Sequence, residues 1–400
     1  MNIGDHITIE AIELVAGGSA LARVDGLPVF SDNLYPGDVA VVRVVSVKKG
    51  FVRAELVRLL EPSPVRRAQP CPIAGECGGC DWTALRLDAQ LEAKRRIVEE
   101  SLRRVGKIDR SQLPPVTIHP SPLNYRMRSR LHRDGARVGF YAAGSNDVVP
   151  LASECEVVGV ETARRFGQPG GADHRKLLSS ADVRKTRRGL SREIADSVDD
   201  EGAGLEVWEM EGKLIEAGDL LLRVDEFAFH LSTDSFFQVN RHLLSTMLRL
   251  VGEIADRVAG RARAIDLYGG VGFFALPLAQ RFEHVVTVEG SAASHQNALR
   301  NAPPNVQAVH QAVERYVSRM PPANLIFLDP PRAGARPEVL DAIAASGAEA
   351  IGYLSCDPVT FSRDAGRLTA AGWRIASLDL LDLFPNTHHV ETLASLERAR

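Results

Sequence analysis

The sequence predicts an α/β protein in which a C-terminal parallel sheet with helices on both faces is preceded by a small β-barrel and a central α+β segment. From Arg261 onward, short apolar strands alternate with helical stretches, the pattern of a parallel sheet. Residues 6–59 instead alternate Val, Ile and Leu with polar residues, as short half-buried strands do. The length of 400 residues exceeds the roughly 250 to 300 at which one hydrophobic core stops growing. Two or three domains are therefore expected.

In the N-terminal segment the alternation is broken at Gly17-Gly18, Asp25-Gly26, Pro36-Gly37 and Lys49-Gly50, which read as turns. Val39 to Val47 is the clearest strand, and Glu61-Pro62-Ser63-Pro64 ends the unit as a linker does. A helical pattern follows from Thr83 to about Val105, then a proline-punctuated stretch from Pro114 to Pro122. Tyr125 to His132 sets Arg126, Arg128 and Arg130 at period two, so on a strand they share one face. Residues 168–204 are polar, rich in Gly, Arg and Asp, and carry no strong period.

Composition narrows the class. An apolar share of 45% and a charged share of 25% fit an ordinary soluble globular protein. Met1 to Glu10 lacks a basic start followed by an apolar run, and no segment approaches the roughly 18 apolar residues of a membrane span. A cytoplasmic location without membrane contact is expected, with no obligate protein partner evident. Five cysteines, an odd number without a secretory signal, favour metal or catalytic roles over a disulfide framework. The net charge of -3 conceals an asymmetry: Arg43 to Arg137 holds 20 basic against 10 acidic residues, so this segment is +10 and the rest -13. Such a segment suits a polyanion, although runs such as Lys94-Arg95-Arg96 and Arg103-Arg104 also read as the solvated face of a helix.

The C-terminal strands deliver the chemistry. Ala264 to Tyr268 is the first strand, Gly269-Gly270-Val271-Gly272 its loop and Phe273 to Arg281 the following helix. Glycines there let the backbone approach a ligand at a strand's carboxyl end. Val285 to Val288 forms the second strand, closed by Glu289, an acid placed to bind ribose hydroxyls. The loop alone also fits a dinucleotide fingerprint, so a nicotinamide enzyme competes at this point. Leu325 to Leu328 then leads into Asp329-Pro330-Pro331-Arg332, whose rigid turn aims Asp329 at the same edge. Arg332 stands where enzymes that methylate exocyclic amines place an aromatic, which argues against that activity.

Ala350 to Leu354 leads into Ser355-Cys356-Asp357-Pro358 at the same edge, ahead of a helix beginning near Val359. A lone cysteine is more often a small buried hydrophobe, but a helix N-terminus favours a thiolate. Carbon 5 of uracil becomes a competent nucleophile once a thiolate adds to C6, so chemistry there needs such a cysteine. The C5 proton must afterwards leave to a base. In Phe384-Pro385-Asn386-Thr387-His388-His389-Val390-Glu391 the base expected is Glu391, with polar positions on an edge strand as the plainer reading. The other cysteines, Cys71, Cys77, Cys80 and Cys155, suit an iron-sulfur cubane or a structural zinc, with Gly75, Gly78 and Gly79 letting the backbone wrap closely.

Taken together, these motifs resemble the RNA 5-methyluridine methyltransferase family nearly end to end. Residues 2–60 resemble its TRAM domain, an RNA-binding barrel related to OB folds. Phe236-Phe237-Gln238-Val239-Asn240 resembles its glutamine motif, and Asp266 to Gly272, Glu289, Asp329 to Arg332, Ser355 to Pro358 and Phe384 to Glu391 match its remaining motifs. The resemblance implies a Rossmann-like class I methyltransferase domain over 231–400, a TRAM β-barrel over 1–60, and a central iron-sulfur domain over 61–230. A helix at about 83–110 of that central domain would pack with the catalytic domain. It implies S-adenosylmethionine contacts at Gln238, Tyr268, Phe273, Glu289 and Asp329, with Cys356 as nucleophile and Glu391 as base. Cys71, Cys77, Cys80 and Cys155 would hold a four-iron, four-sulfur (4Fe-4S) cluster. The implied function is methyl transfer to C5 of a uridine in RNA, 23S rRNA rather than tRNA because a TRAM domain is fused to the core. A transfer RNA substrate, or an RNA-binding relative without turnover, are the alternatives. Three departures stand out: Phe273 where the family has Thr, Ser or Asn, Gly269 where Cys is common, and Asp357 where Asn is usual.

Overall fold

Turn residues shape the first sheet. The computed structural model describes residues 1–167, 205–210, 212–215, 218–233 and 235–399; the polar stretch 168–204 lies outside them. Six strands, β1 (His6–Glu10), β2 (Glu13–Leu14), β3 (Ala20–Val24), β4 (Leu27–Ser31), β5 (Val39–Lys48) and β6 (Phe51–Glu61), form one sheet in the order β1-β5-β6-β4-β3-β2. Gly17, Gly18, Asp25, Gly26 and Gly37, at the turns expected from sequence, have positive φ. The inward residues Val29, Ala40, Val42, Val44 and Val52 pack with Trp82, Leu85 and Ile97 into one core.

Helix α1 (Leu87–Arg104) follows, then β7 (Val116–His119), β8 (Arg128–Asp134), β9 (Arg137–Tyr141), β10 (Val148–Pro150) and α2 (Val160–Phe166). The basic runs of α1 are largely neutralised by its own acids. Arg95 and Arg96 both reach Glu92, and Arg103 and Arg104 reach Glu100, while Lys94 is buried with its Nζ donating to the Phe384 carbonyl at 3.0 Å. The solvated-face reading of these runs thus holds for Arg96, Arg103 and Arg104, and fails at Lys94.

The chain divides into two compact units. One comprises Met1–Ile97, Arg130–Leu205 and Phe384–His389; the other comprises Val98–Ser129, Glu206–Leu383 and Val390–Arg400. The second unit contains β11 (Leu205–Met210) from Glu206 on, β12 (Lys213–Ile215) and the hairpin β13 (Asp219–Val224) and β14 (Phe227–Ser232). Helix α3 (Leu244–Asp256) precedes the large sheet. From there β15 (Arg263–Leu267), α4 (Ala275–Ala279), β16 (His284–Glu289), α5 (Ala292–Asn301), β17 (Val306–His310) and α6 (Val313–Tyr316) alternate as expected. They are followed by β18 (Leu325–Leu328), α7 (Pro337–Ala345), β19 (Ala350–Ser355) and α8 (Pro358–Ala370), then β20 (Trp373–Leu381) and β21 (Glu391–Arg398).

The eight-stranded sheet runs β17-β16-β15-β18-β19-β21-β20-β7. Its first five strands are parallel, but β21 lies antiparallel between β19 and β20, so Glu391 opens an interior strand and not an edge. β7, far upstream in sequence, closes the far edge parallel to β20. Arg128 is half-buried: its Nε donates to Glu206 at 2.9 Å, its other nitrogens donate to the Ser235 and Thr233 carbonyls, and it lies over Trp208. This side chain is committed to packing and is not displayed for a ligand.

Candidate active site

The carboxyl ends of β15, β16, β18 and β19 carry the residues expected to react, together with the start of β21. The loop after β15 is shaped by close approach. Tyr268 has φ +59°, Gly270 +55° and Gly272 +83°, values disfavoured for side chains with a Cβ. A Cβ on Gly269 would stand 2.0 Å from the Thr287 hydroxyl and 2.5 Å from an Asp266 carboxylate oxygen. The glycine here is thus required by its neighbours. Glu289 braces the loop, accepting from the Gly270 amide at 2.9 Å and the Ser291 amide at 2.6 Å. The Tyr268 hydroxyl donates to Glu314 at 3.3 Å.

Behind the loop lies a group of acids. Asp266 accepts from the Thr287 hydroxyl at 2.9 Å, and its other oxygen has no hydrogen-bond partner. Burial, reinforced by the Glu289 charge, pushes its pKa up to about 7. Asp329 is half-buried and is pushed to about 8, by desolvation first and by Asp266 second. Gln238 Nε2 donates to Asp329 at 3.4 Å. Glu391, 3% exposed, is held well above the ordinary carboxyl range by burial and then by Asp329, with Arg332 opposing.

Cys356 belongs to the same electrostatic group. Burial, then the charges of Glu391 and Asp329, push its thiol up to about 11, while Arg332 pulls it down. Asp357 does not add to this pressure. Its carboxylate caps α8, accepting from the Val359 amide at 3.0 Å and the Thr360 amide at 2.8 Å. Cys356, Glu391, Asp329 and Arg332 are therefore one interacting set, two carboxyls and one cation around a thiol at the end of a parallel strand.

Comparison with known proteins decides what this set belongs to. A family model described as tRNA (Uracil-5-)-methyltransferase matches residues 217–321 and 314–399. An RNA methyltransferase of Gloeobacter violaceus is 30% identical over 99% of this chain and 97% of its own length. A 23S rRNA (uracil(1939)-C(5))-methyltransferase of Thiobacillus denitrificans is 32% identical over 98% of this chain and 99% of its own. The chain belongs to the RNA uracil-C5 methyltransferase family. It is an S-adenosylmethionine-dependent enzyme acting on RNA, and the dinucleotide reading of its glycine loop is closed. The fold agrees: the Pyrococcus abyssi tRNA (uracil-54, C5)-methyltransferase, crystallised with S-adenosyl-L-homocysteine, superposes with a TM-score of 0.69 at 21% identity, over 97% of this chain and 100% of that one.

Within the methyltransferase the remaining expected residues are distributed as follows. Phe273 is buried among aromatic rings, with centroids 5.1 Å from Phe229, 5.2 Å from Phe237 and 4.9 Å from Phe274. Its ring fills the core, which leaves its backbone as the polar part. Phe236, beside Gln238 in the chain, is 63% exposed. His388 is taken up in the first unit, where its amide and Nδ1 meet the two oxygens of Asp81 at 3.0 and 2.5 Å. The same unit holds Asn386 by every polar atom it has, through Gln90, Arg67, Glu156 and the Asp81 and Trp82 amides.

The four other cysteines all lie in the first unit, each half-buried. Cys71 and Cys77 pack on Ile73, Val149 and Ala152. The Gly79 amide donates to Cys77 Sγ at 3.4 Å, and a Cβ on Gly79 would fill the space against that sulfur. Burial raises the Cys71 thiol, with Cys155 adding to the effect. Among the described residues no three His, Cys, Asp or Glu side chains converge as one metal ion requires. A cubane binds each thiolate on a separate iron; the apolar lining at Cys71 and Cys77 and the amide-to-sulfur bond at Cys77 are compatible with such a group.

Sequence reasoning passed over Arg332 as an electrostatic partner, taking it only as the absence of an aromatic. Asp266 was visible as a strand residue, but its burial beside Asp329 follows from the parallel register of β15 with β18. No local signal exposes that pairing.

Proposed function

We propose that this enzyme methylates C5 of a specific uridine in 23S rRNA through a covalent adduct between Cys356 and C6. The observation that carries the reading is the joint placement of a thiol, the buried Glu391 and the half-buried Asp329 in one electrostatic group. S-adenosylmethionine supplies the methyl group on a cationic sulfur. Gln238, Tyr268, Phe273, Glu289 and Asp329 are assigned to its binding, Phe273 through backbone and ring edge because its ring is packed in the core.

The residues' own chemistry follows from their protonation. Cys356 rests as a thiol because burial and two carboxyls oppose its ionisation. Its proton passes to a neighbouring carboxylate as sulfur bonds to C6, and the electron pair moves to C5 and its enolate oxygen. C5 then takes the methyl group as the sulfur–methyl bond breaks. Glu391 next removes the C5 proton, C5–C6 becomes a double bond again, and the C6–S bond breaks to return the cysteine. Desolvation holds both carboxyls above their ordinary range, with Asp266 adding to it at Asp329 and Asp329 adding to it at Glu391, so at neutral pH the pair retains protons. Any cation brought to this group favours their ionised forms, which makes the base available when the site is loaded.

Three further assignments belong to this reading. Residues 1–60 act as a TRAM β-barrel that binds RNA, residues 61–230 as the cluster domain and 231–400 as the methyltransferase domain. Cys71, Cys77, Cys80 and Cys155 hold a four-iron, four-sulfur cluster. Ribosomal RNA is preferred to tRNA because 32% identity over nearly full length links the chain to a relative named for 23S rRNA. An RNA-binding relative without turnover is disfavoured by the cap role of Asp357, which leaves the nucleophile clear. Mass spectrometry of rRNA and tRNA from cells with and without the gene tests the assignment. Loss of one 5-methyluridine from 23S rRNA is expected; loss from tRNA alone would move the substrate, and no lost methyluridine would refute it.

A further inference from the structure

Arg332 is exposed and is the cation acting on both Cys356 and Glu391, yet it follows two prolines on a surface turn. What fixes it lies on α8, the helix that begins two residues after the nucleophile. The Thr360 hydroxyl donates to the Arg332 carbonyl at 3.1 Å. Arg363 donates to the Ala333 carbonyl at 2.9 Å and, more weakly, to that of Ala335 at 3.4 Å. Asp364, fully buried, accepts from the Ala335 amide at 2.8 Å and, on the same oxygen, from the Tyr353 hydroxyl at 2.7 Å. Its other oxygen takes Arg363 Nε at 2.8 Å. The turn fits this seat because of Gly334: its φ is +77°, and a Cβ there would stand 2.5 Å from an Arg363 nitrogen and 2.6 Å from an Asp364 oxygen.

Three backbone positions of the turn, 332, 333 and 335, are thus tied to one helix, and the same carboxylate is tied to Tyr353, three residues before Cys356. We propose that Thr360, Arg363 and Asp364 are positioning residues that seat the 332–335 turn on α8 and so hold the Arg332 charge within reach of Cys356 and Glu391. The charged groups acting on Cys356 are Glu391 from β21, Asp329 from the end of β18 and Arg332; Asp357 beside it is engaged by the α8 amides. The seat has a chemical purpose. A thiol beside two carboxyls would be hard to ionise, and a guanidinium that is always charged, carried on a held backbone, offsets them.

The proposal rests on Cys356 being the nucleophile, but its test does not require RNA. The pH profile of Cys356 alkylation by iodoacetamide is measured in the full-length protein, with the labelled peptide resolved by mass spectrometry from the four other cysteines. An opposite charge close by moves a pKa by about one to three units, and an exposed one by less. Arg332→Met is therefore expected to raise the midpoint by about half to one unit, so alkylation at pH 8 slows about three- to tenfold. Gly334→Ala and Thr360→Val, which keep Arg332, are expected to move the midpoint in the same direction by a smaller amount, and Thr360→Ser to restore it. An unchanged midpoint in Arg332→Met overturns the electrostatic role. A raised midpoint in Arg332→Met with wild-type profiles in both Gly334→Ala and Thr360→Val overturns the seat. Methylation by a Cys356→Ala protein would instead sink the nucleophile assignment, whatever the alkylation profiles show.

Discussion

Replacing Asp357 by Asn, the residue usual in the family, should leave Cys356 reactivity within about twofold, while Asp357→Ala should cost about 1 kcal/mol of stability. The magnitudes come from where the carboxylate is spent. One oxygen accepts from two α8 amides at 3.0 and 2.8 Å, an N-cap whose loss to Ala costs about 0.5 to 2 kcal/mol and for which Asn substitutes nearly as well. Loss of the negative charge at the helix N-terminus removes at most a further few tenths to about 1 kcal/mol. A carboxylate pressing on the thiol would behave otherwise. One pKa unit on Cys356 changes its thiolate fraction about tenfold below the midpoint, so Asp357→Asn would then accelerate alkylation about tenfold. Urea unfolding midpoints for the Ala and Asn proteins, together with peptide-resolved alkylation of Cys356 at pH 8, separate the two cases. A tenfold faster Asn variant, or an Ala variant as stable as the parent, would refute the capping argument.

Two further outcomes follow from the buried acids and the cysteine loop. Asp266 has its folded pKa raised from 3.8 to about 7, so the folded state keeps a proton that the unfolded chain releases. Its favourable contribution is complete below about pH 4 and fades as pH rises to about 7. Asp266→Asn, which can still accept from Thr287, should therefore gain stability relative to the parent between pH 5 and pH 8, by up to a few kcal/mol; a pH-independent difference in thermal unfolding would contradict this. Protein purified without oxygen should be brown and carry iron and sulfide, and replacing Cys71, Cys77, Cys80 or Cys155 by Ser should bleach and destabilise it. Colourless protein with stoichiometric zinc would overturn the cluster assignment.

Much of the fold was legible because period and punctuation agree locally. The strand Leu325–Leu328 and the strand beginning at Ala350 lie where apolar runs place them, and the helix beginning at Pro358 starts one residue before the expected Val359. What escaped depends on distant pairing. Glu391 reads as an edge position because its polar neighbours suggest exposure, yet β21 inserts between β19 and β20. Likewise Val116–His119 is a short apolar stretch among prolines, and only its partner β20, more than 250 residues away, makes it a strand. In the site, motif positions named Cys356, Asp329 and Glu391, but the hold of Thr360, Arg363 and Asp364 on the 332–335 turn arises from packing between loop and helix. Alternation of Arg126, Arg128 and Arg130 reports a shared face but not what covers it: Glu206 and Trp208, which engage Arg128, come from far along the chain.

The central claim is that Cys356 forms the first bond to the base and Glu391 removes the C5 proton, and trapping the intermediate tests it most directly. Glu391→Gln is incubated with labelled S-adenosylmethionine and unmodified 23S rRNA, and the products are run on a denaturing gel. Removal of the C5 proton should slow by about 10²- to 10⁴-fold, the usual contribution of a positioned base, so a methylated protein–RNA species should accumulate as a shifted, labelled band. That band should vanish when Cys356→Ala is added. Normal turnover by Glu391→Gln, or inactivity without a trapped species in a protein that still binds RNA and cofactor, would show that Glu391 is not the base and contradict the mechanism.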